Sequence, residues 1–92
     1  MSAFIIVDMT PTNQDKLKEY AALAGTTFAA FGGKIVAKGP VEVLHGDAPF
    51  KAKAVIEFPD SENAISWYNS PEYQALIETR NMAMDSQFHV VG

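Results

Sequence analysis

Lys53-Ala54-Val55-Ile56-Glu57-Phe58-Pro59-Asp60-Ser61-Glu62, then Ala64-Ile65-Ser66-Trp67-Tyr68-Asn69-Ser70-Pro71-Glu72-Tyr73, and finally Arg80, read as a strand, a breaker, a short helix, a second breaker and a longer helix. Strand alternation puts Ala54, Ile56 and Phe58 on one face and Lys53, Val55 and Glu57 on the other. Pro59 ends the strand, and Asp60 or Ser61 caps a helix of about ten residues with Ala64, Ile65 and Tyr68 as its inner stripe. Ser70-Pro71-Glu72 is a strong second start, with an N-cap hydroxyl, proline at the first helical position and an acid in the first turn. Tyr73, Ile77, Arg80 and Met84 then share one helical stripe.

Upstream, Ala3 to Thr10 is β-branched and aromatic and stops at Pro11, which predicts a first strand. Both of its alternate sets, Ile5, Val7, Met9 and Phe4, Ile6, Asp8, are largely apolar, so both faces are expected to be buried. Thr12 or Asn13 caps a helix carrying Leu17, Tyr20, Ala24, Thr27 or Phe28, and Phe31 at helical spacing; Gly32-Gly33 ends it. Lys34 to Lys38 is a short strand with Ile35 and Ala37 on one side and Lys34, Val36 and Lys38 on the other. After Gly39-Pro40, Val41 to Leu44 reads as extended again, Gly46-Asp47-Ala48-Pro49 as a turn, and Phe50 to Phe58 as the next strand. Gln87 to Val91 is a last strand.

Strand, helix, strand, strand, helix, strand in one chain of this size predicts an α+β fold. It is the ferredoxin-like βαββαβ arrangement, a four-stranded antiparallel sheet with its helices on one face, forming one domain over residues 1–92. The uncovered face carries Phe4, Ile6, Val36, Val55 and Val91, an apolar patch best hidden against a second copy in a two-fold homodimer.

Composition narrows function by exclusion. A net charge of −4 argues against nucleic acid, which needs a basic surface. With no cysteine there are no disulfides, thiol nucleophiles or thiolate metal sites. The apolar run at the N-terminus lacks a basic n-region and is cut by Asp8, so neither a signal peptide nor a membrane span is expected, and the cytoplasm is the expected location. Serines 61, 66, 70 and 86 lie in no nucleophile-elbow context, and no glycine pattern suits a phosphate loop.

The block from Glu57 to Gln74, with Phe58-Pro59, Trp67-Tyr68, Ser70-Pro71-Glu72-Tyr73 and the later Arg80, resembles the signature of the domain of unknown function 1330 family. Gly32-Gly33-Lys34, Lys38-Gly39 and Val41 to Leu44 resemble its middle strand, so the likeness covers nearly the whole chain. The resemblance implies a dimeric α+β barrel, two ferredoxin-like sheets facing each other. That superfamily includes cofactor-independent monooxygenases, isomerases, decarboxylase-like and heme-dependent enzymes. Where the family usually has arginines, this chain has Lys34 and Lys38, which exchange a planar two-point fork for a single mobile charge.

Arg80, on an otherwise apolar stripe, is the expected anion holder, with a structural pair to Asp8, Glu57 or Glu42 as the competing role. Trp67 lies off the predicted stripe and is expected to wall a cavity or meet the second subunit, whereas Tyr68 is expected in the core. Tyr73 and Lys38 complete the expected ligand-binding set, and His89 or Asp8 would move a proton. By alternation Asp8, Glu57, Lys34, Lys38, Lys53 and His89 share the uncovered face, and must pair there or line a wet cavity. No metal or other cofactor is expected, because the two histidines have no further ligand at a diagnostic spacing; heme ligation by His89 ranks last. Two readings follow: a protein binding a small organic acid or carbonyl compound, as a cofactor-independent enzyme or as a binder, and a non-catalytic structural homodimer.

Overall fold

The computed structural model describes residues 2–92. The elements are β1 (Ala3–Pro11), α1 (Gln14–Ala29), β2 (Lys34–Pro40), β3 (Ala52–Phe58), α2 (Ser61–Asn69), α3 (Pro71–Gln74), α4 (Ile77–Ala83) and β4 (Met84–Val91). They form the ferredoxin-like sheet, all antiparallel, in the order β2-β3-β1-β4. Ile5, Val7 and Met9 of β1 and Ala54, Ile56 and Phe58 of β3 are buried under the helices. Phe4, Ile6 and Val55 remain half-buried on the open face, and Val91 is exposed there.

Local chemistry sets the boundaries. Asn13 Oδ1 accepts from the Lys16 N–H at 3.0 Å to start α1, and Asp60 Oδ1 does the same for Asn63 at 2.8 Å in α2. Gly33 N–H donates to Phe28 C=O (2.9 Å) and Gly32 N–H to Ala29 C=O (3.1 Å), closing α1 in a Schellman-type turn. Gly32 sits at φ 79°, which favours glycine. At Gly33 a Cβ would lie 2.7 Å from the fully buried Phe58 ring, so any larger residue would have to push that ring aside.

Four expectations are corrected. The bulge between Ile35 and Ala37 inverts the alternation of β2: Ala37 opposes Val55 on the open face, and Lys38 opposes Ala54 on the helix-covered face. Val41 to Leu44 is not a strand but part of a long loop, with Leu44 almost fully exposed. The long helix after Ser70 is broken at Ala75-Leu76 into α3 and α4. Met84, expected to continue that helix, begins β4 instead.

Trp67, not Tyr68, follows Ala64 on the buried face of α2. The indole lies against Phe58 (centroids 5.5 Å apart) and Tyr73 (4.4 Å), and its Nε1–H donates to Thr27 Oγ1 at 3.0 Å. Spacings of three and four residues both fit a short helix, and the larger ring with a satisfied donor takes the interior, a burial worth about 1.5–3 kcal/mol.

Candidate functional site

Ser70 organises the site. Its hydroxyl donates to Trp67 C=O (2.7 Å) and accepts from the Tyr73 N–H (3.2 Å), so one side chain closes α2 and opens α3. That hinge sets Tyr68 and Tyr73 side by side, ring centroids 5.2 Å apart. α4 brings Arg80 to them. Its Nη1 donates to Tyr68 Oη at 3.0 Å and to Tyr73 Oη at 3.3 Å, and its Nε to Asn81 Oδ1 at 3.3 Å. The guanidinium also lies 5.0 Å from the Phe88 ring centre and 5.9 Å from that of Tyr68, within cation–π range. From α1, Tyr20 Oη meets Tyr73 Oη at 2.7 Å, completing a chain of hydroxyls that ends on the cation.

Arg80 is half-buried, yet among the described residues the ion pairs are Lys16–Glu19, Lys34–Glu57 and Lys53–Asp8, and none includes it. The expected structural pair with Asp8, Glu57 or Glu42 is therefore not formed. Burial works against the charge, but the bonds to Tyr68 and Tyr73 outweigh it and hold the arginine pKa above its ordinary value. Burial raises the pKa values of Tyr20 and Tyr73, so both phenols stay protonated at neutral pH. Arg80 Nη2 has no protein acceptor among the described residues. No buried side-chain nitrogen or oxygen described lacks a partner, so Nη2 is accessible. Tyr68 Oη accepts from Arg80 and leaves its own proton free to donate outward.

Arg80 and Tyr68 line a cleft of about 360 Å³ between α2, α4 and the edge strand β4, with Phe88 as an apolar wall. The expected residues are distributed unevenly around it. Tyr73 is fully buried and reaches the cleft only through Arg80. Trp67, expected to wall a cavity, is a core residue 1% exposed that borders an apolar groove beside α1 and not this cleft, and Tyr68, expected in the core, takes the cleft wall. Lys38 stands at the far edge of the sheet, on β2. His89 borders the cleft from β4, but its register partner is Ile6, on the open face.

Asp8 is on that other face entirely. It accepts from Lys53 Nζ at 2.7 Å and Gln87 Nε2 at 3.1 Å, and the Lys53 bond, with smaller help from Gln87, holds its carboxyl below the ordinary value despite burial. Lys34 and Glu57 pair at 3.6 Å nearby. These open-face charges are thus largely matched within the chain. The loop after β2 and the Asp8–Lys53 pair border an open hollow of about 690 Å³, with His45 and Leu44 also in its walls. Tyr20 was legible only as a core residue; a tyrosine on a buried stripe needs a hydroxyl partner, and that requirement was the signal pointing to Tyr73. Among the described residues no three His, Cys, Asp or Glu side chains gather as a metal site, and no helix is long and apolar enough to cross a membrane.

Solved structures show the same fold at low identity. A protein of unknown function from Rhodopseudomonas palustris is 19% identical over 98% of this chain and 80% of its own, with a TM-score of 0.79. A dimeric ferredoxin-like protein of unknown function from Jannaschia sp. is 12% identical, covering 100% of this chain and 99% of that one, with a TM-score of 0.75. SnoaB, a cofactor-independent oxygenase from Streptomyces nogalater, is 11% identical over 99% and 91%, with a TM-score of 0.72. No curated protein sequence matches significantly. The family model described as Domain of unknown function (DUF1330) matches residues 2–92, and the chain belongs to that family.

Proposed function

We propose that this protein binds a small organic carboxylate, or the carbonyl group of a related compound, in the cleft beside Arg80. The observation that carries the proposal is a half-buried guanidinium with no carboxylate partner and an accessible Nη2, next to a phenol whose proton is free. Arg80 Nη2–H and Tyr68 O–H converge as two donors on one oxygen or one carboxylate, with Phe88 contacting the apolar part of the ligand. Tyr73 and Tyr20 act as positioning residues that fix Arg80. Asp8 lies away from this cleft, whereas His89 borders it from β4 and is the expected residue there that could move a proton. The reading goes as far as binding, and the similar fold of a cofactor-independent oxygenase makes turnover of the ligand the natural next question.

A homodimer belongs to the same proposal. Phe4, Ile6, Val55 and Val91 form an apolar open face, and a similar structure is described as dimeric. The non-catalytic reading draws on that face and on the Lys53–Asp8 and Lys34–Glu57 pairs, and leaves Arg80 without a carboxylate partner among the described residues.

Calorimetric titration with acetate, pyruvate and benzoate, against acetamide as the neutral control, tests the binding reading. Carboxylates should bind at least about tenfold more tightly than acetamide, whose carbonyl carries no charge for Arg80 to meet. Tyr68→Phe should weaken binding about tenfold and Arg80→Gln should abolish it, with unchanged circular dichroism in each. Equal affinity for acetate and acetamide, or undiminished binding by Arg80→Gln, would overturn the proposal.

A further inference from the structure

A second opening lies beside α1, with Trp67 in its lining and Phe88 shared with the Arg80 cleft. α1 leans chiefly on α4 and meets β2 only sparsely. A groove of about 90 Å³ therefore remains between α1 and the β2 side of the sheet, with Val7, Ala24, Phe28 and Ile56 among its apolar walls. Two residues in its lining have no structural explanation so far. Gly25 stands inside α1, where glycine is among the poorest helix formers. Unlike Gly33 it is not required by packing: a Cβ at Gly25 would meet no atom within 4 Å. Lys38 is brought to this face by the β2 bulge, and no carboxylate pairs with it among the described residues.

We propose that this groove is a second ligand site, for the alkyl chain of an aliphatic carboxylate whose head group meets Lys38. The missing side chain at Gly25 keeps the groove open. The space is smaller than the apolar cavity of about 150 Å³ that takes a benzene ring, so it holds a short stretch of a single alkyl chain, the rest of which lies along the open groove toward Lys38. Lys38, a point charge on a flexible stem, receives the carboxylate at the rim. The occupant differs from the compact carboxylate assigned to the Arg80 cleft in its alkyl chain, and the site does not depend on that assignment.

Titration of the full-length protein with octanoate and with 1-octanol, followed by methyl NMR, tests this. Octanoate should bind saturably and shift the methyl signals of Val7 and Ile56. Gly25→Leu should lower its affinity by about tenfold or more, through loss of groove volume, while thermal stability is kept or raised by the better helix former. Lys38→Gln should weaken octanoate by about fivefold and leave octanol unchanged. Arg80→Gln should alter neither, which separates this site from the cleft. Absence of saturable octanoate binding to the wild type, or equal affinity in Gly25→Leu, overturns the proposal. Should Gly25→Leu not fold, the Lys38→Gln comparison and the Val7 and Ile56 shifts decide it: no octanoate-specific loss and no shift at those methyls overturn it.

Discussion

Tyr73→Phe removes one oxygen and leaves two groups short of a partner. Tyr20 Oη, on a residue 8% exposed, loses its 2.7 Å partner, and Arg80 Nη1 keeps only Tyr68. A buried hydroxyl left unsatisfied costs about 1–3 kcal/mol. The lost Arg80 bond is long at 3.3 Å and contributes at the lower end of the range for bonds to charged groups, about 1.5 kcal/mol at most. The single variant should therefore be destabilised by about 2–4 kcal/mol, which in a domain of this size lowers Tm by roughly 10–25 °C. The informative comparison is Tyr20→Phe with Tyr73→Phe. Replacing both partners by apolar groups of the same shape removes the orphaned hydroxyl, so the double variant should be no less stable than Tyr73→Phe alone. Urea denaturation of the four proteins gives the coupling energy, expected at about 1 kcal/mol or more. Additive losses, or a Tyr73→Phe variant within about 0.5 kcal/mol of wild type, would show that water already serves these hydroxyls and that Arg80 is not held by a dry network.

Gly33→Ala drives a methyl into the Phe58 ring, which has no room to retreat, and should cost about 1–3 kcal/mol by denaturant melt. Asp8 is depressed in the folded protein below its ordinary value of 3.8. Its contribution is therefore fully present above pH 3.8, and is lost as pH falls through the lower folded pKa. Carboxyl NMR should titrate Asp8 below 3.8, and Asp8→Asn should flatten the acid side of the stability curve. Ile6→Asp places a charge in the open apolar face and should convert a dimer to a monomer in sedimentation velocity, leaving the Arg80 cleft intact.

The fold was legible because each level of the sequence agreed with the next. The alternation of β3, the breakers at Pro59 and Ser70-Pro71 and the caps at Asn13 and Asp60 all appear where the sequence placed them. Register in β2 was not legible. Ile35, Val36 and Ala37 are all apolar, so nothing in the pattern fixes which of them faces the helices, and one bulge carries Lys38 across the sheet. The same limit applied to α2, where the choice between Trp67 and Tyr68 depends on Thr27 and Phe58, partners distant in sequence. Arg80 stood out as an isolated charge on an apolar stripe. Its phenol partners are set by the break at Ala75-Leu76 and the approach of α1, both of which are tertiary. Asp8 and His89 were grouped with Arg80 by chemistry; strand register pairs both with open-face neighbours, and only His89, on the edge strand, borders the Arg80 cleft.

The most direct test of the central claim is side-chain NMR of uniformly ¹³C,¹⁵N-labelled protein titrated with pyruvate. Binding in the cleft predicts that the Arg80 guanidinium resonances and the Tyr68 ring signals shift together and saturate at one concentration, with the Lys34 and Lys53 ammonium signals unmoved. Unmoved Arg80 and Tyr68 signals alongside saturable shifts at Lys34 or Lys53 would place the anion on the open sheet face and contradict the account.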